Sequence, residues 1–133
     1  MITSPAKPSI DRFLLEAELA VRSSLGLERD ERVPVESPLA DLGAEGVDLL
    51  DIIHKLGKSP GDYVMAGELT IYCKNLIRDK AEEYDREESP EYNHLMVLVK
   101  CSGRDIVKII TTKDIAEILR YEEGHNKNDK TRN

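Results

Sequence analysis

The N-terminal part of the chain alternates apolar and polar positions with the period of a helix. Apolar residues recur roughly every three to four positions between residues 10 and 25, which places them on one helix face. Ser9 is a suitable N-cap for this helix, and Gly26 is well placed to end it. Leu15 and Leu19 lie outside the stripe, one turn apart, so we expect a second apolar ridge. The main stripe consists of Ile10, Phe13, Leu14, Ala17, Val21 and Leu25.

Residues 27–46 show no sustained period and contain Pro34 and Pro38, which predicts a long loop. A second helix is expected to begin near Gly46 or Val47 and to run to Leu56. Its inner side is predicted to hold Leu49, Leu50, Ile52, Ile53 and Leu56. Its outward side is predicted to hold Val47, Asp48, Asp51 and Lys55.

Three further segments follow. Residues 66–88 predict an amphipathic helix, and Ser89 with Pro90 suits the start of another. The apolar run within residues 92–101 fits either a helix or a short buried strand; we favour a helix because no second strand is evident. Thr111 and Asp114 resemble a capping box that opens a last helix, which Gly124 ends. The face of the 66–88 helix contains Leu69, Tyr72, Cys73, Leu76, Ile77 and Tyr84.

The chain has 133 residues, which suits one domain with one core. We expect a flexible leader at residues 1–8, a single domain at 9–124 and a flexible tail at 125–133. The helical patterns predict an all-α fold class. The ridge of Leu15 and Leu19 and the apolar face of the 66–88 helix lack assigned partners. We therefore expect these two surfaces to meet, either within the monomer or across a homodimer.

The charge and the amino-acid composition of the chain favour some classes of binding partner over others. The formal charge is -7 and 34% of residues are charged, which argues against a nucleic-acid-binding protein because phosphates require a cationic surface. A partner protein with a basic patch is a better electrostatic match. No apolar run is long enough to span a membrane, and the N-terminus lacks the apolar stretch of a signal peptide. We therefore expect a cytoplasmic protein.

Cysteine and histidine positions give no sign of a metal site or a catalytic centre. Cys73 and Cys101 are far apart, lack zinc-ligand spacing and are interpreted as core thiols. His54, His94 and His125 are dispersed, with no HxxxH or HxH pair. No nucleophile and base stand at a suggestive spacing, so we expect neither a metal nor a catalytic residue.

Two sequence blocks resemble the acyl carrier protein family. In the first, Asp41-Leu42-Gly43 matches the carrier's Asp-Leu-Gly element, and Asp48 matches the acid that often follows the carrier's Ser-Leu pair at the start of the second helix. The second block, residues 108–119, resembles the last carrier helix and the residues leading into it. Together the blocks cover roughly half of the chain. The resemblance implies a carrier-like helical bundle with an additional helical insert at about residues 58–102. An unrelated helical bundle with a coincidental match is the alternative.

The chain departs from the carrier pattern at the residue that carries the cofactor. Aligned on Asp41-Leu42-Gly43, Glu45 stands at the family's Asp, Gly46 at its serine and Val47 at its leucine. The family's serine hydroxyl is the nucleophile that receives phosphopantetheine, and glycine has no side-chain nucleophile. No cofactor is therefore expected.

The resemblance implies a non-catalytic interaction module, docking on an enzyme or assembly of acyl, fatty acid or polyketide metabolism. Two alternatives remain open within the family: a functional carrier modified at an unexpected serine, and a protein that binds an acyl chain or lipid non-covalently. An enzyme in its own right is a further alternative. The expected docking residues are Glu45, Val47, Asp48, Asp51 and Lys55.

Overall fold

A computed structural model of the chain describes residues 10–27, 33–86, 88–101 and 105–132. Most of these residues are helical, as an all-α fold class requires. The six α-helices of this part are α1 Ile10–Leu25, α2 Gly46–Lys55, α3 Ile71–Ala81, α4 Pro90–Lys100, α5 Ile106–Ile109 and α6 Thr112–Arg132. The strands β1 Val64–Met65 and β2 Glu68–Leu69 form an antiparallel hairpin. Short 3-10 turns occupy Leu39–Leu42 and Pro60–Asp62.

The core lies between α1, α2 and α6, and it extends into the insert. α1 packs on α2 and α6, whereas α3 packs on α4 and α6. α6 therefore contacts both halves of the molecule, and one continuous set of buried side chains joins them. Those with no exposed surface include Ala17, Val21, Leu39, Ile52, Ile77, Leu98 and Ala116.

The first two helices follow the sequence pattern closely. α1 ends at Leu25, where Gly26 adopts a φ of 67° that a residue without a Cβ accommodates readily. Ser9, its expected N-cap, lies outside the described residues. α2 begins at Gly46 and buries Leu49 together with two isoleucines. The inward placement of Leu50 is wrong, because its side chain reaches the surface and is 36% exposed.

The segment after Ser89 is a helix, which resolves the ambiguity of residues 92–101. The Ser89 hydroxyl accepts a hydrogen bond from the backbone N–H of Tyr92 at 3.2 Å, and Pro90 occupies the first turn. This cap satisfies a donor that has no partner inside the helix.

The two cysteines are buried, as expected of core thiols.

A β-hairpin replaces the start of the predicted 66–88 helix. Ala66 and Gly67 have φ values of 55° and 81°, so they form a tight turn and Leu69 lies on a strand. Thr70 then caps α3, because its hydroxyl accepts from the backbone N–H of Cys73 at 3.1 Å. The helix ends at Ala81, so residues 82–86 and Glu88 are also outside it.

The last helix extends past Gly124, the residue predicted to end it. α6 continues through Gly124 to Arg132, and residues 125–132 are therefore helical. Gly124 does not have a positive φ. A glycine within a helix costs only about 1 kcal/mol relative to alanine, which a well-packed helix tolerates. The capping box at the other end is confirmed: the Asp114 N–H donates to the Thr111 hydroxyl at 3.0 Å, and the Thr111 N–H donates to Asp114 Oδ2 at 2.9 Å.

The insert does not cover the second ridge of α1 within the monomer. Leu15 and Leu19 remain 58% and 51% exposed, while α3 buries Leu76 and Ile77 toward α4 and α6. α6 already supplies the apolar surface that α3 requires. The homodimer alternative stays a prediction.

None of the helices in the described ranges combines the length and the hydropathy needed to cross a bilayer.

Candidate functional site

The start of α2 is fixed by an anchored loop. The 3-10 turn Leu39–Leu42 is tied to the segment before α6, because the Leu39 N–H donates to the Ile110 carbonyl at 2.9 Å. Gly43 follows with a φ of 95°, and the Ala44 N–H donates back to the Leu39 carbonyl at 3.1 Å. The Asp-Leu-Gly element therefore forms a turn that is held in place by backbone hydrogen bonds, and α2 begins three residues after Gly43.

Gly46 is the first residue of α2 and lies at the surface. A Cβ added there would have no atom within 4 Å apart from its own chain neighbours and helix backbone. Packing therefore does not require glycine at this position. A serine side chain would fit and would be exposed, which is the placement that a modified hydroxyl needs.

The expected docking residues lie together at the start of α2 and along it, and the charged groups of Asp48, Asp51 and Lys55 already have hydrogen-bond partners within the protein. Asp48 Oδ2 accepts from the Glu45 N–H at 2.7 Å, which satisfies a donor at the helix start. Asp51 Oδ2 accepts from Lys55 Nζ at 2.6 Å and from the Ser24 hydroxyl of α1 at 2.7 Å. The Lys55 ammonium, together with the Ser24 hydroxyl, lowers the pKa of Asp51. Val47, by contrast, exposes 70% of its surface.

An apolar groove begins beside Gly46, and we call it the hairpin groove. It has a volume of about 490 Å³ and runs between the start of α2, the turn of the β-hairpin and α5. Sequence reasoning missed it because two of its three walls are the hairpin and α5, neither of which the periodicity indicates. The groove is lined by Gly46, Val47, Leu49, Leu50, Val64, Ala66, Gly67, Ile106 and Val107.

A buried carboxylate joins the insert to α6. Glu122 accepts hydrogen bonds from the Tyr63 hydroxyl, at 2.6 and 2.7 Å from its two oxygens, and from the Tyr72 hydroxyl. Lys58 Nζ lies 3.3 Å from the same carboxylate. Burial and the hydrogen bond to Glu122 raise the pKa of Tyr63, while burial raises that of Cys73 to about 12. Both groups therefore stay protonated near neutral pH, which makes Cys73 unreactive.

A second polar cluster lines a cavity of about 290 Å³ between α3, α4 and the start of α6. His94 Nε2 lies 2.6 Å from Asp114 Oδ2, the oxygen that also caps α6. This hydrogen bond raises the pKa of His94 above its ordinary value, even though burial opposes the shift. Lys80 is buried beside it and lies 2.8 Å from Glu83 and 3.7 Å from Glu117.

Lys80 and His94 each have a carboxylate partner, so the arrangement ties helices together. His54 is exposed on α2 and His125 stacks on Tyr121, so the described histidines do not converge. Within the described ranges, no group of three or more His, Cys, Asp and Glu side chains is arranged to hold a metal ion.

Comparison with known proteins gave no similarity to report: no family model, no curated protein and no solved structure matches the chain.

Proposed function

We propose that this protein is an acyl-carrier-like interaction module that works without phosphopantetheine. It docks on an enzyme or assembly of acyl, fatty acid or polyketide metabolism and performs no catalysis itself. The observation that carries the proposal is the position of Gly46. It opens α2 three residues after Gly43 of the Asp-Leu-Gly element, is exposed, and has open space where a serine side chain would stand.

The order and contacts of the helices support this proposal. With the insert set aside, the chain consists of α1, α2, the short α5 and α6. α1 contacts α2 and α6, while α5 contacts α2 and the 3-10 turn that contains Asp41 and Leu42. Those are the contacts expected of a carrier bundle, with a short helix before the last one. The hairpin, α3 and α4 fill the insert.

Mass spectrometry tests the proposal directly. After incubation with coenzyme A and a broad-specificity pantetheinyl transferase, the purified wild-type protein should keep its unmodified mass, because Gly46 lacks a nucleophile. Gly46→Ser should gain the mass of one phosphopantetheine group, since the side chain has room there. Gly46→Ala is the matched control, which adds a Cβ without a hydroxyl. A stoichiometric mass increase of the wild type at any serine would identify a functional carrier instead.

A second candidate function, non-covalent binding of an acyl chain, would use an apolar space next to the hairpin groove. This space of about 30 Å³ shares the lining residues Leu49 and Val64 with the groove. It has room for about one water molecule, so an acyl chain would have to displace the hairpin. Native mass spectrometry with palmitate tests this function. A stable one-to-one complex, lost in Leu49→Asn but kept in the surface variant Leu19→Asn, would support it.

A further inference from the structure

The hairpin groove exposes apolar surface that the fold itself does not cover. Val47 and Leu50 stand on its α2 side, and both reach solvent. Its opposite walls are the tight turn Ala66-Gly67 and the α5 residues Ile106 and Val107. The groove volume lies within the range of about 300 to 1,000 Å³ that is typical of binding sites. Its dimensions and lining therefore suit the apolar side chains of a ligand.

In each of the three walls, an acidic residue adjoins a lining residue in the sequence. Glu45 precedes Gly46, Glu68 follows Gly67 on the outer side of the hairpin, and Asp105 precedes Ile106. All three are exposed. Lys108 lies 3.6 Å from Asp105 and offsets that charge, which leaves Glu45 and Glu68 as the exposed acids next to the lining residues. Exposed charges act over roughly 8 to 10 Å at physiological salt, which covers the mouth of such a groove.

We propose that the hairpin groove binds a cationic amphipathic helix of a partner protein, which inserts apolar side chains between α2 and the hairpin while its Lys and Arg residues face the acidic rim. Helices bind in grooves through apolar anchors on one face, and complementary rim charges accelerate and orient association. The proposal rests on the role of this protein as an interaction module. It does not depend on the resemblance to acyl carrier proteins.

The hairpin groove is a better docking surface than the outward face of α2. On that face Asp51 and Lys55 neutralise each other at 2.6 Å, and Asp51 also bonds to Ser24. A partner there would have to replace hydrogen bonds that already exist. In the groove, the apolar side chains lose only water on binding, which is favourable.

Binding of designed peptides tests the proposal. The probe is a fluorescently labelled helical peptide of about 15 residues, built from Leu and Lys with the Leu residues on one face. One control peptide carries Glu in place of Lys, and another has the same composition in a scrambled order. Fluorescence anisotropy should show saturable one-to-one binding of the amphipathic Lys peptide only. Its affinity should fall as salt is raised.

Variants of the groove separate its apolar and charged contributions. Val47→Gln/Leu50→Gln should weaken binding of the Lys peptide by about tenfold or more, because the anchors lose their contacts. Glu68→Lys should weaken it by about two- to fivefold and reduce its salt dependence. Glu88→Lys, which changes the same charge in the loop between α3 and α4, is the matched control and should bind like the wild type.

Three results would overturn the proposal. They are equal binding of the Lys and scrambled peptides, unchanged binding in the Val47→Gln/Leu50→Gln variant, and binding of a fluorescent fatty acid in place of the peptide. The last result would assign the groove to an acyl ligand. None of these outcomes affects the modification test at Gly46, so failure of this proposal and failure of the carrier resemblance are separately visible.

Discussion

At the scale of single residues, Glu122 shows how one carboxylate holds distant parts of the chain together. Its side chain is buried, yet it accepts hydrogen bonds from two tyrosine hydroxyls and lies beside the Lys58 ammonium. Tyr63 is 59 positions away in sequence. Burying an isolated carboxylate is costly, and partners of this kind make it tolerable. These hydrogen bonds therefore fix the hairpin and the first turn of α3 against α6.

Removing the Tyr63 hydroxyl should destabilise the protein measurably. Tyr63→Phe deletes a hydrogen bond to a buried carboxylate, and bonds to charged groups contribute about 1.5 to 3 kcal/mol. Urea unfolding should show a loss of that size. Tyr92→Phe is the matched control: Tyr92 is only partly buried, its hydroxyl has no hydrogen-bond partner among the described residues, and the loss there should stay below about 0.5 kcal/mol. Similar losses in both variants would contradict the role assigned to Glu122.

The pair of His94 and Asp114 should make stability depend on pH. The hydrogen bond to Asp114 raises the pKa of His94 above 6.5, so protonation favours the folded state. The stabilisation that protonation of His94 provides is fully present below pH 6.5, the pKa of the unfolded state. It is lost as pH rises through the higher pKa of the folded state. The charges around this histidine are Glu117 and Lys113 from α6, Lys80 from α3, Glu91 from α4 and Glu36 from the loop.

His94→Gln isolates this contribution, because glutamine keeps a hydrogen-bond donor but is not protonated. The free energy of unfolding should fall on mutation, and the difference from wild type should be larger at about pH 5.5 than at about pH 8.5. Ordinary carboxylates are ionised over this whole range. His54→Gln controls for the loss of an exposed imidazole. A difference that is constant, or that grows toward alkaline pH, would contradict the assignment.

At the scale of secondary structure elements, α1 and α3 differ in how they use their apolar faces. Leu76 of α3 is 5% exposed, whereas Leu19 of α1 is largely exposed. Leu76→Ala should cost about 2 to 5 kcal/mol because it leaves a cavity against α4 and α6, and Leu19→Ala should change stability by less than about 0.5 kcal/mol. The double mutant should show additive losses in urea melts. Coupling between the two sites would mean that these helices meet after all, for example across a homodimer.

Local signals predicted those elements whose ends are set by nearby residues. The cap at Ser89 and the capping box of Thr111 and Asp114 are contained within a few positions, so the sequence displays them. The hairpin is different. Its strands have two residues each, too short for a period, and the turn Ala66-Gly67 lacks the Asn-Gly or Asp-Gly signal of a hairpin.

The candidate sites were harder to predict than the helices, because they depend on contacts between distant segments. Gly46 was singled out by aligning Asp41-Leu42-Gly43 with the carrier pattern, and the outward acids of α2 were visible from their spacing along one helix. The hairpin groove, the Glu122 cluster and the bond from His94 to Asp114 require α2, the insert and α6 to be placed in space first. The single signal for His94 was its position in an apolar helix, which is not specific.

At the scale of the whole molecule, the insert is part of the core. Eleven of the 28 buried apolar residues in the described ranges lie between residues 58 and 102. Among the larger of these side chains, Ile77 and Leu98 have no exposed surface. A carrier-like bundle without the insert would expose the faces of α2 and α6 that these residues cover.

Replacing residues 58–102 with a short Gly-Ser linker should therefore abolish cooperative folding. We expect a broad thermal transition by circular dichroism and strong binding of a hydrophobic dye, as in states that have lost specific packing. The control places the same linker after Glu88, in the exposed loop between α3 and α4, and should keep a sharp transition. A sharp transition in the deletion variant would show that the remaining helices fold alone and that the insert is an appendage.

The packing of α1 on α6 also has a consequence for how the chain is made. Within this sequence α1 is synthesised before α6, so it emerges from the ribosome well before its principal neighbour. Until α6 follows, the stripe of Phe13, Ala17 and Val21 lacks the surface of α6 on which α1 packs in the folded protein. A nascent chain stalled before α6 should therefore expose this stripe and be prone to aggregation.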